Sequence, residues 1–406
     1  LLPFKTLVLH GMIGGSTGTG KTRAIQVMAE KLVESGVPVL LADLKGDISG
    51  FIRPNGEAAS AERARTMGIP YSPVSFPAVS FSVSGRFIPL RLRLDTIDPA
   101  LLGRILRLNP TQESNLRVAF IYAKEKGLPV RDLADLQAVL SHLAGHPDAV
   151  PGASQSSIDV ILRQISIAAG EGLDGLFGEP ALEIGDLLVP RVNAINLSDW
   201  RKSSELPSIL MAFILYRLFQ ELNDVGSMEK PRLVLFIDEA HYLFQDANPA
   251  LVGLFVTILK QIRSKGVAVF LSSQNPEDIP EKVLEQLGTK IEFALRAFTK
   301  EEMEDVAGIA GAFPPTNRYD MAQEILSLKI GEALVSPLGP DGRPLEPVKA
   351  MMEPPRSSMG VLSDDEISKS LDKALLERYG EAAALELLRD RIERRFRPAG
   401  GEETPG

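Results

Sequence analysis

Residues Gly15-Ser16-Thr17-Gly18-Thr19-Gly20-Lys21-Thr22 constrain this chain more than any other feature. They match G-x-x-x-x-G-K-[ST] in full, and the chemistry of a nucleoside triphosphate explains each position. Glycines let the backbone curl so that successive N–H groups face phosphate oxygens, and a helix starting near Lys21 adds its positive end. Lys21 then reaches the β- and γ-phosphates, and the Thr22 hydroxyl coordinates Mg²⁺. A flexible glycine turn could spell the same letters, but the flanks decide against it. LVLHGMI before the motif reads as a short apolar strand. After it, Ile25, Met28, Ala29, Leu32 and Val33 form a helical stripe. Gly36 ends that helix, and VPVLLAD follows as a buried strand with Asp43 at its C-terminal edge. The segment is a βαβ unit.

A P-loop needs a carboxylate at a strand end, and LVLFIDEAH supplies two. Asp238 is the expected Mg²⁺ partner, and Glu239 is placed to polarise the attacking water. An unpaired buried charge costs several kcal/mol, so adjacent acids beyond an apolar strand belong at the sheet's C-terminal edge, where open α/β sheets bind ligands. The plain alternative is a solvent-exposed acid pair. Glu239 favours hydrolysis over phosphoryl transfer to a small molecule. Gln274 ends the strand VAVFLSSQ, where a polar side chain can sense the γ-phosphate; Ser272 and Ser273 compete for that role. Arg263 and Arg296 are the candidate arginine fingers. Arg296 lies in FALRAF, read as an apolar strand, and would there need an anionic partner. Asp43, Lys45 and Asp47 in ADLKGD follow the second strand, with Asp43 either shaping its loop or standing in the second shell of Mg²⁺.

The rest of the chain fits an α/β class: a mostly parallel sheet covered on both faces, an all-α insertion and a C-terminal helical tail. Residues 1–70 form the first part of the core, 71–98 an antiparallel excursion and 99–180 the helical insertion. Residues 181–352 complete the core with the strands 192–197, 233–240, 267–274 and 290–297, and a late strand in GEALVSPL precedes a hairpin signal at GPDGRP. Residues 353–406 form an arm and a charged helix, opened by a Ser363/Glu366 capping box and running to about Phe396. Its arginines 389, 391, 394, 395 and 397 interleave with Glu386, Asp390 and Glu393, which predicts pairing within the helix.

Composition removes several function classes. Without cysteine there are no disulfides, no thiolate catalysis and no Cys-ligated zinc. Of the four histidines only His142 and His146 have helical ligand spacing, and Gly145 and Pro147 mark that stretch as a helix end. The net charge of -9 argues against nonspecific wrapping of nucleic acid, though not against a ring with a locally basic pore. Six tyrosines and one tryptophan give no obvious stacking platform for single strands. Arg86 to Arg93 (RFIPLRLR) and Arg201-Lys202 are the candidate duplex contacts, though an ordinary solvated face is the favoured reading of either. No signal peptide precedes the motif, and Leu206 to Tyr216 falls short of the roughly 18–20 apolar residues of a membrane span. A cytoplasmic protein is expected.

With P-loop, acid pair, Gln274 and helical insertion in this order, the chain resembles the HerA/FtsK superfamily of P-loop ATPases. It is most similar to a bacterial branch of HerA-like helicases. The resemblance runs from about Leu2 to Gly360. HGMIGGSTGTGKT, LADLKGDISG, LNPTQESNLRVAF, LFGEPALEIGDLL, FIDEAHYLF, IRSKGVAVFLSSQNPEDIPEKVLEQLG, FALRAFTKEE, GEALV and PPRSSMG carry it. It implies a RecA-like core, ATP and Mg²⁺, a homo-oligomeric (hexameric) ring and force exerted on duplex DNA through a central channel. It maps Lys21, Thr22, Asp238, Glu239 and Gln274 onto nucleotide chemistry, and Arg263 onto the arginine after the acid-pair helix. Two departures stand out. HerA proteins proper carry an N-terminal β-barrel that docks a partner nuclease, whereas this chain starts almost at the P-loop, which argues against nuclease coupling. Relatives also offer an arginine across the subunit boundary from the position of Leu9, so here that finger is missing or supplied elsewhere. The competing reading is a nucleotide-dependent switch or assembly ATPase that acts on protein, and stimulation by duplex DNA separates the two.

Overall fold

A computed structural model describes residues 2–46, 50–150, 154–200, 205–226, 228–245, 248–339 and 341–396. Asp47, Arg201, Lys202 and Arg397 therefore lie outside the described residues, and of Arg394 and Arg395 only the backbone is described. The strands are β1 (Gly11–Gly14), β2 (Val39–Asp43), β3 (Ala78–Ser82), β4 (Ile88–Pro89), β5 (Val192–Asn196), β6 (Leu233–Ile237), β7 (Val267–Ser272), β8 (Thr289–Phe293), β9 (Glu332–Ser336) and β10 (Val348–Met351). The chain forms two compact units, Leu1–Phe81 with Glu183–Ser370 and Ser82–Leu182 with Leu371–Gly406.

The first unit is built on a sheet in the order β10-β9-β8-β1-β7-β6-β2-β5-β3. β1 runs parallel to both β7 and β8, β6 to β7, and β2 to both β6 and β5. The late strands turn antiparallel, β9 to β8 and β10 to β9, the last two joined through the GPDGRP segment. Every residue of β2, β6 and β7 is buried, which is what a strand covered on both faces demands. One face of these strands meets the helix Lys21–Glu34 through Ile25, Ala29 and Leu32, with Leu41, Phe236 and Phe270 beneath. The helices Leu206–Glu221 and Pro249–Ile262 also belong to this unit and pack together. This is the mostly parallel α/β sheet expected of a RecA-like P-loop core.

Two local expectations give way to tertiary structure. LVLHGMI is not one strand: Phe4–Leu7 is a helical turn, His10 takes a left-handed φ of 59°, and β1 starts at Gly11. The buried His10 ring explains the break, because it spans two elements: Nδ1 accepts from Val269 N–H at 3.0 Å and Nε2 donates to Leu259 O at 2.8 Å. Burial, opposed by the Leu259 bond, pushes its pKa down to about 4, so the ring is neutral. The charged C-terminal helix is likewise interrupted. The Ser363/Glu366 box does open a helix, Asp364–Ser370, but separate helices Lys373–Tyr379 and Glu381–Phe396 follow. Asp372 caps the first of these by accepting from Ala374 and Leu375 N–H, and Gly380 ends it.

The second unit holds the helices Pro99–Ile105, Pro110–Glu125, Leu133–Gly145 and Gln155–Gly170, three of them begun by an Asp or Asn cap. Among the described residues Arg391 pairs outside its own helix. It reaches Asp132 at 3.2 Å and contacts Asp135, both at the start of the helix Leu133–Gly145, where negative side chains already favour the helix end. His142 and His146 stack at 4.3 Å, and among the described residues no group of three or more His, Asp or Glu side chains is placed to hold a metal. Of the proposed duplex contacts, Arg93 is held by Asp95 and Glu179, whereas Arg86 is exposed. Among the described residues no helix is long and apolar enough to cross a membrane.

Candidate functional site

β1 delivers the chain into the loop Gly15–Gly20 at the C-terminal edge of the sheet. Gly15 has φ 139°, and a Cβ there would stand 2.6 Å from the Phe293 side chain, so only glycine fits. Gly20, at φ 129°, sits at the N-cap of Lys21–Glu34 and offers no side-chain cap, which leaves the first helical N–H groups open to an anion. Lys21 is buried, and its ammonium donates to Gly15 O at 2.6 Å and Ser16 O at 3.3 Å. Burial lowers the Lys21 pKa and the carboxylates of Glu239 and Asp238 oppose that shift; the net direction is down.

β6 ends at Ile237 and places both acids against this loop. The Thr22 hydroxyl donates to Asp238 Oδ2 at 3.1 Å, so the two expected Mg²⁺ partners already touch. Glu239 follows with a left-handed φ of 51°, a strained conformation for a residue with a side chain and one that clusters at functional sites. Its Oε1 accepts from Gln274 Nε2 at 3.0 Å and from Lys45 Nζ, and Gln274 Oε1 in turn accepts the Thr17 hydroxyl at 2.6 Å. Gln274, just past the end of β7, thus ties the P-loop to the acid. Oε2 has no hydrogen-bond partner among the described residues; His241 Nδ1 lies 3.4 Å away. Burial pushes the Glu239 carboxyl up, but Lys45, Gln274 and the Lys21 charge outweigh it, and the net direction is down.

Of these groups Thr17, Lys21, Thr22, Lys45 and Glu239 line one end of a cleft of about 410 Å³. The other end carries the apolar Ile330, Met352, Pro354 and Met359 together with Arg63 and Glu353. Arg63 holds that end together by donating to Met352 O at 2.9 Å and Gly331 O at 3.0 Å. The strap after Met352 is anchored on the P-loop helix itself. Glu30 accepts from Arg356 N–H, Ser357 N–H and the Ser357 hydroxyl, while Gln26 donates to Ser357 O and Ser358 O, each at 3.0 Å. Burial raises the Glu30 pKa, and the Ser357 and Arg356 bonds oppose it. A carboxylate buried without such donors would cost several kcal/mol, so the helix and the strap need each other.

The arginines separate. Arg296 is not in a strand: β8 stops at Phe293, and the next residues bond to the P-loop, Ser16 N–H to Ala294 O at 3.0 Å and Arg296 N–H to Ser16 Oγ at 3.2 Å. Its side chain is exposed, which removes the argument for a buried anionic partner. Arg263 stands before β7, at the opposite edge of the sheet from the P-loop, in a small cavity with Leu9 and His10. Asp43 accepts Gly46 N–H at 2.7 Å, the loop-shaping geometry. Lys45 was within the motif ADLKGD, yet its pairing with a residue 194 positions away left no sequence signal.

Sequence reasoning also missed Glu292. It faces Gly14 across β8 and β1, is 4% exposed, and its Oε1 has no partner among the described residues. Burial, against the Lys21 charge, pushes its pKa up to about 8. Folded Glu292 therefore keeps its proton between about pH 4.5 and 8 while the unfolded chain releases it. Stability from this group is present below pH 4.5 and is lost as pH rises through 8. The Tm difference between Glu292→Gln and wild type is expected to grow in favour of the variant by about 3–6 °C from pH 5 to pH 9. A pH-independent difference in calorimetry would contradict this.

Over residues 2–401 the chain matches the family described as Helicase HerA-like C-terminal. No curated protein is significantly similar to it in sequence. Among solved structures it is similar to VirB4 of Thermoanaerobacter pseudethanolicus, with 16% identity, 84% of this chain and 90% of that chain covered, and a TM-score of 0.52. The bacterial conjugative coupling protein TrwBdeltaN70 gives 14% identity, coverage of 87% and 86%, and a TM-score of 0.59. The plasmid coupling protein TrwB in complex with ADP and Mg²⁺ gives 14% identity, coverage of 88% and 88%, and a TM-score of 0.58.

Proposed function

We propose that this chain, which belongs to the HerA-like helicase C-terminal family, is an ATPase that works as a homo-oligomeric ring to translocate duplex DNA. The carrying observation is that Lys21, Thr22, Thr17 and Glu239 line one cleft, with Asp238 bonded to Thr22 and Gln274 bonded to both Thr17 and Glu239. Each residue has a task there. The open helix start and Lys21 hold phosphate oxygens, and Thr22 with Asp238 holds Mg²⁺, which when bound neutralises developing charge on the phosphates. Glu239 draws a proton from water as its oxygen bonds to the γ-phosphorus and the bond to the β–γ bridging oxygen breaks. Ile330, Met352 and Pro354 receive the flat base. The solved TrwB complex with ADP and Mg²⁺ supports the choice of ligand.

Placement of Arg263 supports the ring. It cannot reach its own P-loop from the far edge of the sheet, but it lies beside Leu9, where relatives offer an arginine to the next subunit. Head-to-tail packing would bring that edge to a neighbour's phosphates, and heterologous contacts of this kind close into rings. Arg296, exposed next to Ser16, is the second candidate. The decisive measurement pairs ATPase rate, with and without duplex DNA over a salt series, with solution mass in a nonhydrolysable analogue. Salt-sensitive stimulation by duplex and a ring-sized mass are expected. A monomer indifferent to DNA overturns the motor; a DNA-indifferent ring points to an assembly ATPase acting on protein.

A further inference from the structure

The turn after β2 places a cation on the catalytic carboxylate. Lys45 pairs with Oε1 of Glu239, the oxygen that also takes the Gln274 amide at 3.0 Å. The partners differ in exposure: the Lys45 side chain is 32% exposed and that of Glu239 2%. Lys45 lines the same cleft as Lys21 and Thr22.

We propose that Lys45 is a phosphate-triggered latch: its ammonium holds Glu239 idle until a triphosphate is bound, then transfers to the terminal phosphate and frees Oε1 for the attacking water. The inference rests on the nucleotide reading above. A carboxylate oxygen offers about two acceptor directions, and Lys45 and Gln274 fill both on Oε1. The other oxygen is buried. Water therefore finds no open site on Glu239 until one donor leaves. Gln274 is the fixed one, because its own oxygen is held by Thr17 of the P-loop. Glu239 cannot follow a departing partner, being buried and confined to φ 51°. Lys45 can, on a flexible four-carbon stem. Its backbone stays, pinned by the Asp43–Gly46 hydrogen bond and by Gly46 at φ 79°, where a Cβ would stand 3.0 Å from Ser198. A terminal phosphate outcompetes one carboxylate for the ammonium by charge. A diphosphate lacks that group, so Lys45 stays on Glu239. Lys45 is thus a positioning residue that makes the site read triphosphate against diphosphate. If it only neutralised the buried acid, both nucleotides would be affected alike.

Binding titrations in Mg²⁺ with ADP and a β,γ-imido ATP analogue test this on wild type, Lys45→Met, Glu239→Gln and the double variant, without any turnover. Lys45→Met is expected to cut the preference for triphosphate about tenfold while ADP affinity stays within about threefold. Glu239→Gln, which releases the ammonium in advance, is expected to bind the triphosphate several-fold tighter, and the double variant to lose that gain. A preference that Lys45→Met leaves intact, or a Glu239→Gln gain that survives it, overturns the latch alone. Absence of nucleotide binding by the wild type overturns the nucleotide reading and the latch with it.

Discussion

Glu239→Gln is expected to keep nucleotide binding and lower kcat by about 10²- to 10⁴-fold, the usual worth of a positioned general base. The amide has the volume of the acid and the same backbone demands, so the strained φ of 51° and the burial against β7 survive. What disappears is a charged acceptor for the water proton. Because the Glu239 pKa is shifted downward, the wild-type group is ionised throughout the neutral range, and no loss of rate between pH 6 and 8 is to be traced to it. Steady-state turnover at saturating ATP, beside a direct measure of affinity, separates the two effects. A variant with full kcat would remove Glu239 from the chemistry, and one that lost affinity with kcat would make it a binding group.

The site was legible where residues near in sequence define it. Gly15 to Thr22 announces its own conformation, because glycines at those φ values have few other uses, and LVLFIDEA shows its burial and its edge in one run. The parallel sheet followed from the same signal, strands too apolar to show a wet face. Legibility failed where a distant partner decides. FALRAF has the composition of a strand, but Ala294 and Arg296 spend their backbone groups on Ser16, some 280 residues earlier, and the ladder stops at Phe293. LVLHGMI has strand propensity throughout, yet the His10 ring, bonded to Val269 and Leu259, sets a turn. Glu30 and Glu292 look like ordinary charges in a helix and a strand. Only the fold shows one tied to the strap of Arg356 and Ser357 and the other sealed against Gly14. Lys45 belongs with these, since nothing in ADLKGD points to Glu239.

Lys21→Ala is expected to abolish nucleotide binding, by at least about 100-fold, where Glu239→Gln spares it. The reason lies in what the ammonium does before any ligand arrives. It bonds Gly15 O and Ser16 O, so the loop is held curled with its N–H groups turned to the cleft. It also balances Glu239 and Asp238, the two ionised acids around it. Removing it unties the loop and leaves those acids facing a polyanion with Lys45 as compensation, and Lys45 is already engaged by Glu239. Repulsion and lost order act in the same direction. A thermal-shift titration shows the result directly: Mg²⁺-ATP at about 100 times Kd stabilises a binding-competent chain by about 2.7 kcal/mol, a rise of several degrees. Wild type and Glu239→Gln are expected to show that rise and Lys21→Ala none. Should Lys21→Ala be stabilised as well as the wild type, the triphosphate binds somewhere other than this loop.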